Sequence, residues 1–140
     1  MKENILIRIT GKQKDKSGEE NQIELTTEGT IYDKGDNIYI VYEETEISGM
    51  EGTTTTLKIE KDNKGLLKRY GTNVSTMVFE EGKRSNTLYQ TMFGDFEMEV
   101  FTDKVDISLN RDKKRGKIQI DYDLFITGMV ESKNQLNIRF

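Results

Sequence analysis

The 140-residue chain has no histidine, cysteine, tryptophan or proline, and no alanine either. Without imidazole or thiol there is no Ser-His-Asp or Cys-His nucleophilic set and no zinc site built on His or Cys. Disulfides and cysteine-ligated clusters are excluded on the same ground. Long apolar runs are missing too. No window approaches the roughly 18 apolar residues of a membrane helix, so no membrane association is expected. Met1 to Arg8 carries no apolar core of about seven residues behind its lysine, as a secretion signal would. The expected location is the cytoplasm, and the lack of cysteine agrees with a reducing compartment. No phosphate loop is present, because Gly65 and Gly71 are wrongly spaced and no lysine follows Gly71. The loops at 33–37 and 61–65 lack the carboxylate count and terminal Glu of a calcium loop, so no metal site and no cofactor are expected.

Hydrophobic residues make up 34% of the chain and charged residues 33%, with a net charge of -4. Leu, Ile, Val and Phe are 35 of the 140 residues, above the roughly one-fifth below which chains stay disordered. One domain of this length can bury about two-thirds of its unfolded surface. The acidic balance argues against a nucleic-acid partner. The exception is Arg111 to Lys117, with five cations in seven residues. It reads as a solvated hairpin tip, with a polyanion contact as the alternative.

Alanine is absent while Ile and Thr number 14 and 15, a balance that favours sheet over helix. Apolar residues recur at period two. Ile5, Ile7 and Ile9 mark a first strand, and Ile23 to Ile31 a second, with a bulge or sharp bend expected at Gly29. Strands follow at Ile38 to Tyr42, Thr55 to Ile59, Leu66 to Tyr70, Val74 to Glu80 and Thr87 to Phe93. Phe96, Met98, Val100 and Thr102 share a face, but Val105, Ile107 and Leu109 are out of phase with them. A bulge or tight turn is therefore expected near Asp103-Lys104. Ile118 to Ile126 and Leu136 to Phe140 complete nine or ten strands joined by short polar turns. That pattern predicts an all-β fold, an antiparallel up-and-down β-barrel in one domain spanning 1–140. Closure would remove exposed edges, which no proline is present to blunt.

Several strings occur in order: Thr27, Gly29 and Tyr32; Thr55 to Ile59; Arg69 and Gly71; Met77, Phe79 and Gly82; Tyr89, Thr91 and Gly94; then Gly116, Ile118, Tyr122 and Leu124. Together they resemble the YwiB-like family of bacterial proteins over nearly the whole chain. The resemblance implies a calycin-like (lipocalin-like) barrel and a cytoplasmic, bacterial setting, and it implies no activity. The segments 47–52 and 129–135 depart from the pattern.

A barrel of this size encloses packed side chains or one small ligand. Parity places Ile40, Tyr42, Leu67, Met77, Phe79, Tyr89, Met98, Tyr122 and Leu124 inside, with Arg69, Glu44 and Thr91 inside or at the mouth. A guanidinium in that interior needs a partner. Either Glu44 pairs with Arg69, or Arg69 holds the anionic group of a ligand, for which its planar fork is suited. Tyr42, Tyr89 and Tyr122 read as core with satisfied hydroxyls, or as cavity lining. Met77, Met92 and Met98 read as gap fillers. Same-face neighbours on a strand lie about 7 Å apart, so Asp121/Asp123 and Glu97/Glu99 match an inverting glycosidase in spacing. Both pairs lie on the polar face, where solvated decoration explains them, and no catalytic residue is assigned. The expected function is a non-enzymatic barrel holding a small amphipathic or anionic ligand. The alternative is a filled-core interaction or structural module, working through its surface or as a homodimer.

Overall fold

In the computed structural model, residues 2–128 and 130–140 are described, with Val130 described for its backbone alone. Met1 and Met129 lie outside the described residues. The alternation of β-branched and polar residues gives ten strands. They are β1 (Lys2–Asp15), β2 (Glu20–Lys34), β3 (Asn37–Glu43), β4 (Thr53–Glu60) and β5 (Lys64–Gly71). Then follow β6 (Ser75–Phe79), β7 (Arg84–Thr91), β8 (Gly94–Asn110), β9 (Arg115–Ile126) and β10 (Val130–Arg139). A 3₁₀ turn, Glu46–Ser48, sits in the β3–β4 connection, its first turn capped by Thr45. No helix among the described residues is long and apolar enough to cross a membrane.

Every pairing is antiparallel, and each strand lies beside its sequence neighbours, with β1 against β10. The sheet therefore rolls into a nearly closed up-and-down barrel whose seam lies between β6 and β7. A single isolated bridge, Val74 to Gln90, spans that seam, with N–H···O bonds of 2.9 and 2.8 Å. Ahead of Arg84, Gly82 and Lys83 prolong the β7–β8 pairing by backbone bonds to Thr102 of 2.8 and 3.1 Å. A second stretch of edge exists on β2, where Glu20–Glu28 pairs with β1 but extends beyond its pairing with β3.

The phase change in β8 is a bulge. Thr102 pairs with Tyr122, Lys104 pairs with Asp121, and Asp103 is the extra residue. One residue opposed to none flips the faces, which turns Val105 inward as Val100 and Thr102 are. The β8 chain thus continues as one strand of 17 residues, without a turn.

Gly29 does not carry a bulge. Its ladder runs through without a register shift, pairing Ile5 on one side and Tyr42 on the other. Its requirement is space: a Cβ there would collide with Ile7 Cδ1 and the Val41 carbonyl oxygen. The seventh strand also ends two residues early. Thr91 pairs with Gly94, whose φ of 125° closes a two-residue turn. Met92 therefore sits at a tip, 75% exposed, beside Phe93, and fills no gap in the core.

The barrel interior is not uniform. Ile7, Ile40, Leu57, Leu67, Phe79 and Ile120 are all below 2% exposed. At roughly 1.5–3 kcal/mol for each such side chain, this apolar section supplies the main driving force for closure. Polar inward residues are gathered elsewhere, along two hydrogen-bonded rows.

Candidate functional site

The first row crosses four strands in register: Tyr42 on β3, Thr55 on β4, Arg69 on β5 and Ser75 on β6. Each faces inward because its strand neighbours at two-residue spacing do. Glu44, two residues beyond Tyr42, shares that face and is buried. The second row runs through Gln13 on β1, Asn134 on β10, Tyr122 on β9 and Thr102 on β8. The two rows approach one another across the interior. The Arg69 charge acts on the Tyr122 phenol.

Glu44 Oε2 is the junction of the first row. It accepts from the Thr55 hydroxyl at 2.5 Å and stands 3.7 Å from Arg69 Nε. The Glu44 side chain is 3% exposed and that of Arg69 18%. The ion pair is therefore largely sheltered from solvent screening. It is too long for a hydrogen bond, and Arg69 Nε is buried with no hydrogen-bond partner. Thr102 Oγ1, on a fully buried residue, is likewise without a partner.

Burial pushes the Tyr42 phenol well above its ordinary value, and the Glu44 charge adds to this while Arg69 opposes it. Burial also raises the Tyr122 phenol, again against Arg69. Both tyrosines are thus held protonated, as neutral groups able to donate. Tyr122 packs on Phe79, ring centroids 5.0 Å apart, so its body belongs to the core and its hydroxyl to the polar section.

Four of the six residues expected at a site are therefore brought together: Tyr42, Glu44, Arg69 and, across the barrel, Tyr122. Tyr89 stands apart beside the seam, its hydroxyl receiving the Asn73 amide at 3.3 Å. Thr91 does not join them. Its hydroxyl donates to the Gly94 carbonyl at 2.9 Å and accepts from the Phe93 amide at 3.1 Å, because the strand ends there and the side chain serves its own turn. Thr55 and Thr102 were not singled out by sequence reasoning. Shared parity with Glu44 and with Val100 was the available signal, and their lack of charge hid it.

A cleft of about 630 Å³ runs along the second row, lined by Gln13, Asn21, Tyr122 and Asn134 together with charged groups that include Lys14 and Lys133. Asp121 and Asp123 border it from the outer face, where Asp123 stands 3.7 Å from Lys133 and Asp121 accepts from the Gln119 amide at 3.3 Å. Glu99 pairs with Arg84 at 3.2 Å. Neither carboxylate pair points into the barrel. The basic tip is a strap: Lys114 Nζ bonds Asp33 Oδ2 at 2.8 Å and Arg111 bonds the Asp36 carbonyl at 3.2 Å.

These features define a ten-stranded antiparallel β-barrel with an ion pair and unsatisfied donors inside it. Residues 7–138 match the family described as a domain of unknown function (DUF1934), and the chain belongs to that family. It is similar to the uncharacterized β-barrel protein YwiB of Bacillus subtilis (strain 168), at 26% identity over 124 residues, which cover 88% of this chain and 83% of that one. The crystal structure of ywiB protein from Bacillus subtilis has the same fold, with a TM-score of 0.86 at 22% identity over 99% of this chain and 90% of that one.

Proposed function

We propose that the protein is a cytoplasmic, non-enzymatic binding barrel. It takes a small amphipathic or anionic ligand, with the ligand's acceptor oxygens in the polar section and its apolar part against the core. The observation that carries this reading is the pair of buried donors without partners, Arg69 Nε and Thr102 Oγ1. An unmet buried donor costs about 1–3 kcal/mol, a cost that a bound carboxylate or carbonyl oxygen removes. Tyr42 and Tyr122, kept protonated, add donors on either side. The cleft beside Tyr122 and Asn134 is the entry this reading assigns. The one hydroxyl held against a carboxylate in this set, Thr55 on Glu44, is fully buried, and the reading is of binding without turnover.

Native mass spectrometry of freshly purified protein tests it. A retained small-molecule adduct is expected, and it is expected to be lost in Arg69→Met and weakened in Thr102→Val. An adduct-free protein, or one whose adduct survives Arg69→Met in a folded variant, overturns the proposal.

A second reading is favoured by the outer face near the seam. Tyr70, Val74, Leu88, Met92 and Phe93 are all exposed there, Phe93 at 86%. The Val74–Gln90 bridge aligns them on the two sides of the gap. A second copy of the chain covering this patch would make a homodimer. The same mass spectra report it as a doubled mass, abolished by Leu88→Glu with Phe93→Ser.

A further inference from the structure

Three cations stand directly opposite one another on adjacent strands. Arg8 on β1 pairs in register with Arg139 on β10, and Arg139 with Lys117 on β9. Their neighbours Ile7, Ile118 and Ile138 are buried, so all three project from the outer face, and all three are exposed. Like charges placed opposite across strands are destabilising. The flanking partners do nothing to relieve this, being Thr26 beside Arg8 and Ser108 beside Lys117. Among the described residues, the ion pairs formed engage other cations.

The row forms one wall of a groove of about 700 Å³ on the outside of the barrel. Lys12 adds a fourth cation, and Thr10, Thr26, Gln119 and Asn137 supply neutral donors. Thr10, Asn137 and Gln119 lie in register on the row beside the cations. Glu24 is the groove's one carboxylate, and the Gln22 amide donates to it at 3.0 Å. Among the described residues no aromatic side chain lines the groove, so they offer no platform on which nucleobases could stack.

We propose that this face binds a short chain of linked phosphates. Arg8 and Arg139 would each grip phosphate oxygens with a planar fork, Lys117 would place a third charge, and the hydroxyl and amide row would meet the remaining oxygens. Two strand spacings separate Arg8 from Lys117, about 9.6 Å end to end, which suits a compact oligoanion. The hydrogen-bonded sheet fixes the three backbone positions before binding, so only the side chains have to be ordered. The phosphates come either from a free oligophosphate or from the phosphate arm of a nucleotide. This site lies on the opposite face of the sheet from Arg69 and stands independently of the interior reading.

Titration calorimetry and thermal unfolding with sodium tripolyphosphate, against sodium chloride at equal ionic strength, test it. Tripolyphosphate is expected to bind and to raise Tm beyond the chloride control. Arg8→Gln, Arg139→Gln and Lys117→Gln are each expected to weaken binding about tenfold, while Lys61→Gln, at an exposed lysine outside the groove, leaves it unchanged. Without ligand at low salt, Arg139→Gln is expected to melt no lower than the parent, since it removes the middle charge of three. ATP binding with the same variant dependence, but more tightly than tripolyphosphate, assigns the phosphates to a nucleotide. Equal binding assigns them to the phosphate chain alone. A Tm shift matched by chloride, undiminished binding in all three variants, or binding of a single-stranded oligonucleotide but not of tripolyphosphate overturns the proposal.

Discussion

Thr102 and Tyr122 face each other across β8 and β9 as the last in-register pair before the extra residue Asp103. Everything beyond them in β8 owes its orientation to that one residue. Deleting Asp103 would restore simple alternation and turn Val105, Ile107 and Leu109 outward. The expected result is a loss of at least about 3 kcal/mol, from apolar side chains worth roughly 1.5–3 kcal/mol each. Urea unfolding of the deletion variant checks this, and an unchanged midpoint would show that the bulge is dispensable.

The Glu44–Arg69 pair makes a second prediction. Glu44→Gln leaves the guanidinium in a sheltered site without its counter-charge, and it weakens the bond that Thr55 donates. Breaking one side of a buried pair costs about 3–5 kcal/mol. Because Arg69 keeps 18% of its side chain exposed, a loss near about 3 kcal/mol is expected. Replacing both, as Glu44→Leu with Arg69→Met, is expected to recover most of that loss in the same denaturant titration.

Two glycines in neighbouring strands are expected to respond oppositely to alanine. At Gly29 the new methyl meets Ile7 and the Val41 backbone, so overpacking of about 1–3 kcal/mol is expected. At Gly11 a Cβ meets nothing within 4 Å, and alanine is expected to be neutral or slightly stabilising through the unfolded chain. Parallel thermal melts of the two variants make the comparison.

The strap from the β8–β9 tip to the β2–β3 turn should respond to pH. The hydrogen bond from Lys114 holds Asp33 below its ordinary value of 3.8, and the bond to Asp33 holds Lys114 above its ordinary 10.5. The carboxylate's contribution is present above 3.8 and is lost as pH falls through its depressed folded value. The ammonium's contribution is present below 10.5 and is lost as pH rises through its raised folded value. The stability difference between the parent and Asp33→Asn is therefore expected to be flat through neutral pH and to vanish in acid. Urea midpoints across the pH range check the shape, and a difference that persists in acid would mean the strap does not act through this charge pair.

The phase break at Asp103 and the inward parity of Tyr42, Glu44 and Arg69 could be read from residue order, because each depends on side chains close along the chain. Thr91 and Met92 were misplaced because a two-residue turn and a further stretch of strand have the same composition there. The extension of β1 to Asp15 was hidden because Lys12, Gln13 and Lys14 are polar on both faces. The row of Arg8, Arg139 and Lys117 was beyond reach for a different reason. It exists only through the pairing of β1 with β10 and of β10 with β9, which no local pattern announces.

The seam between β6 and β7 gives the barrel a preferred place to breathe. Around the rest of its circumference each strand is zipped to the next by a ladder, while among the described residues this junction is clasped by backbone at Val74 and Gln90. Amide protons on the facing edges of Ser75–Phe79 and Arg84–Tyr89 belong to no β6–β7 ladder, so their deuterium uptake should outpace that of β4 and β9. Opening there would widen the wall beside Tyr89 while the ladders elsewhere hold, without global unfolding.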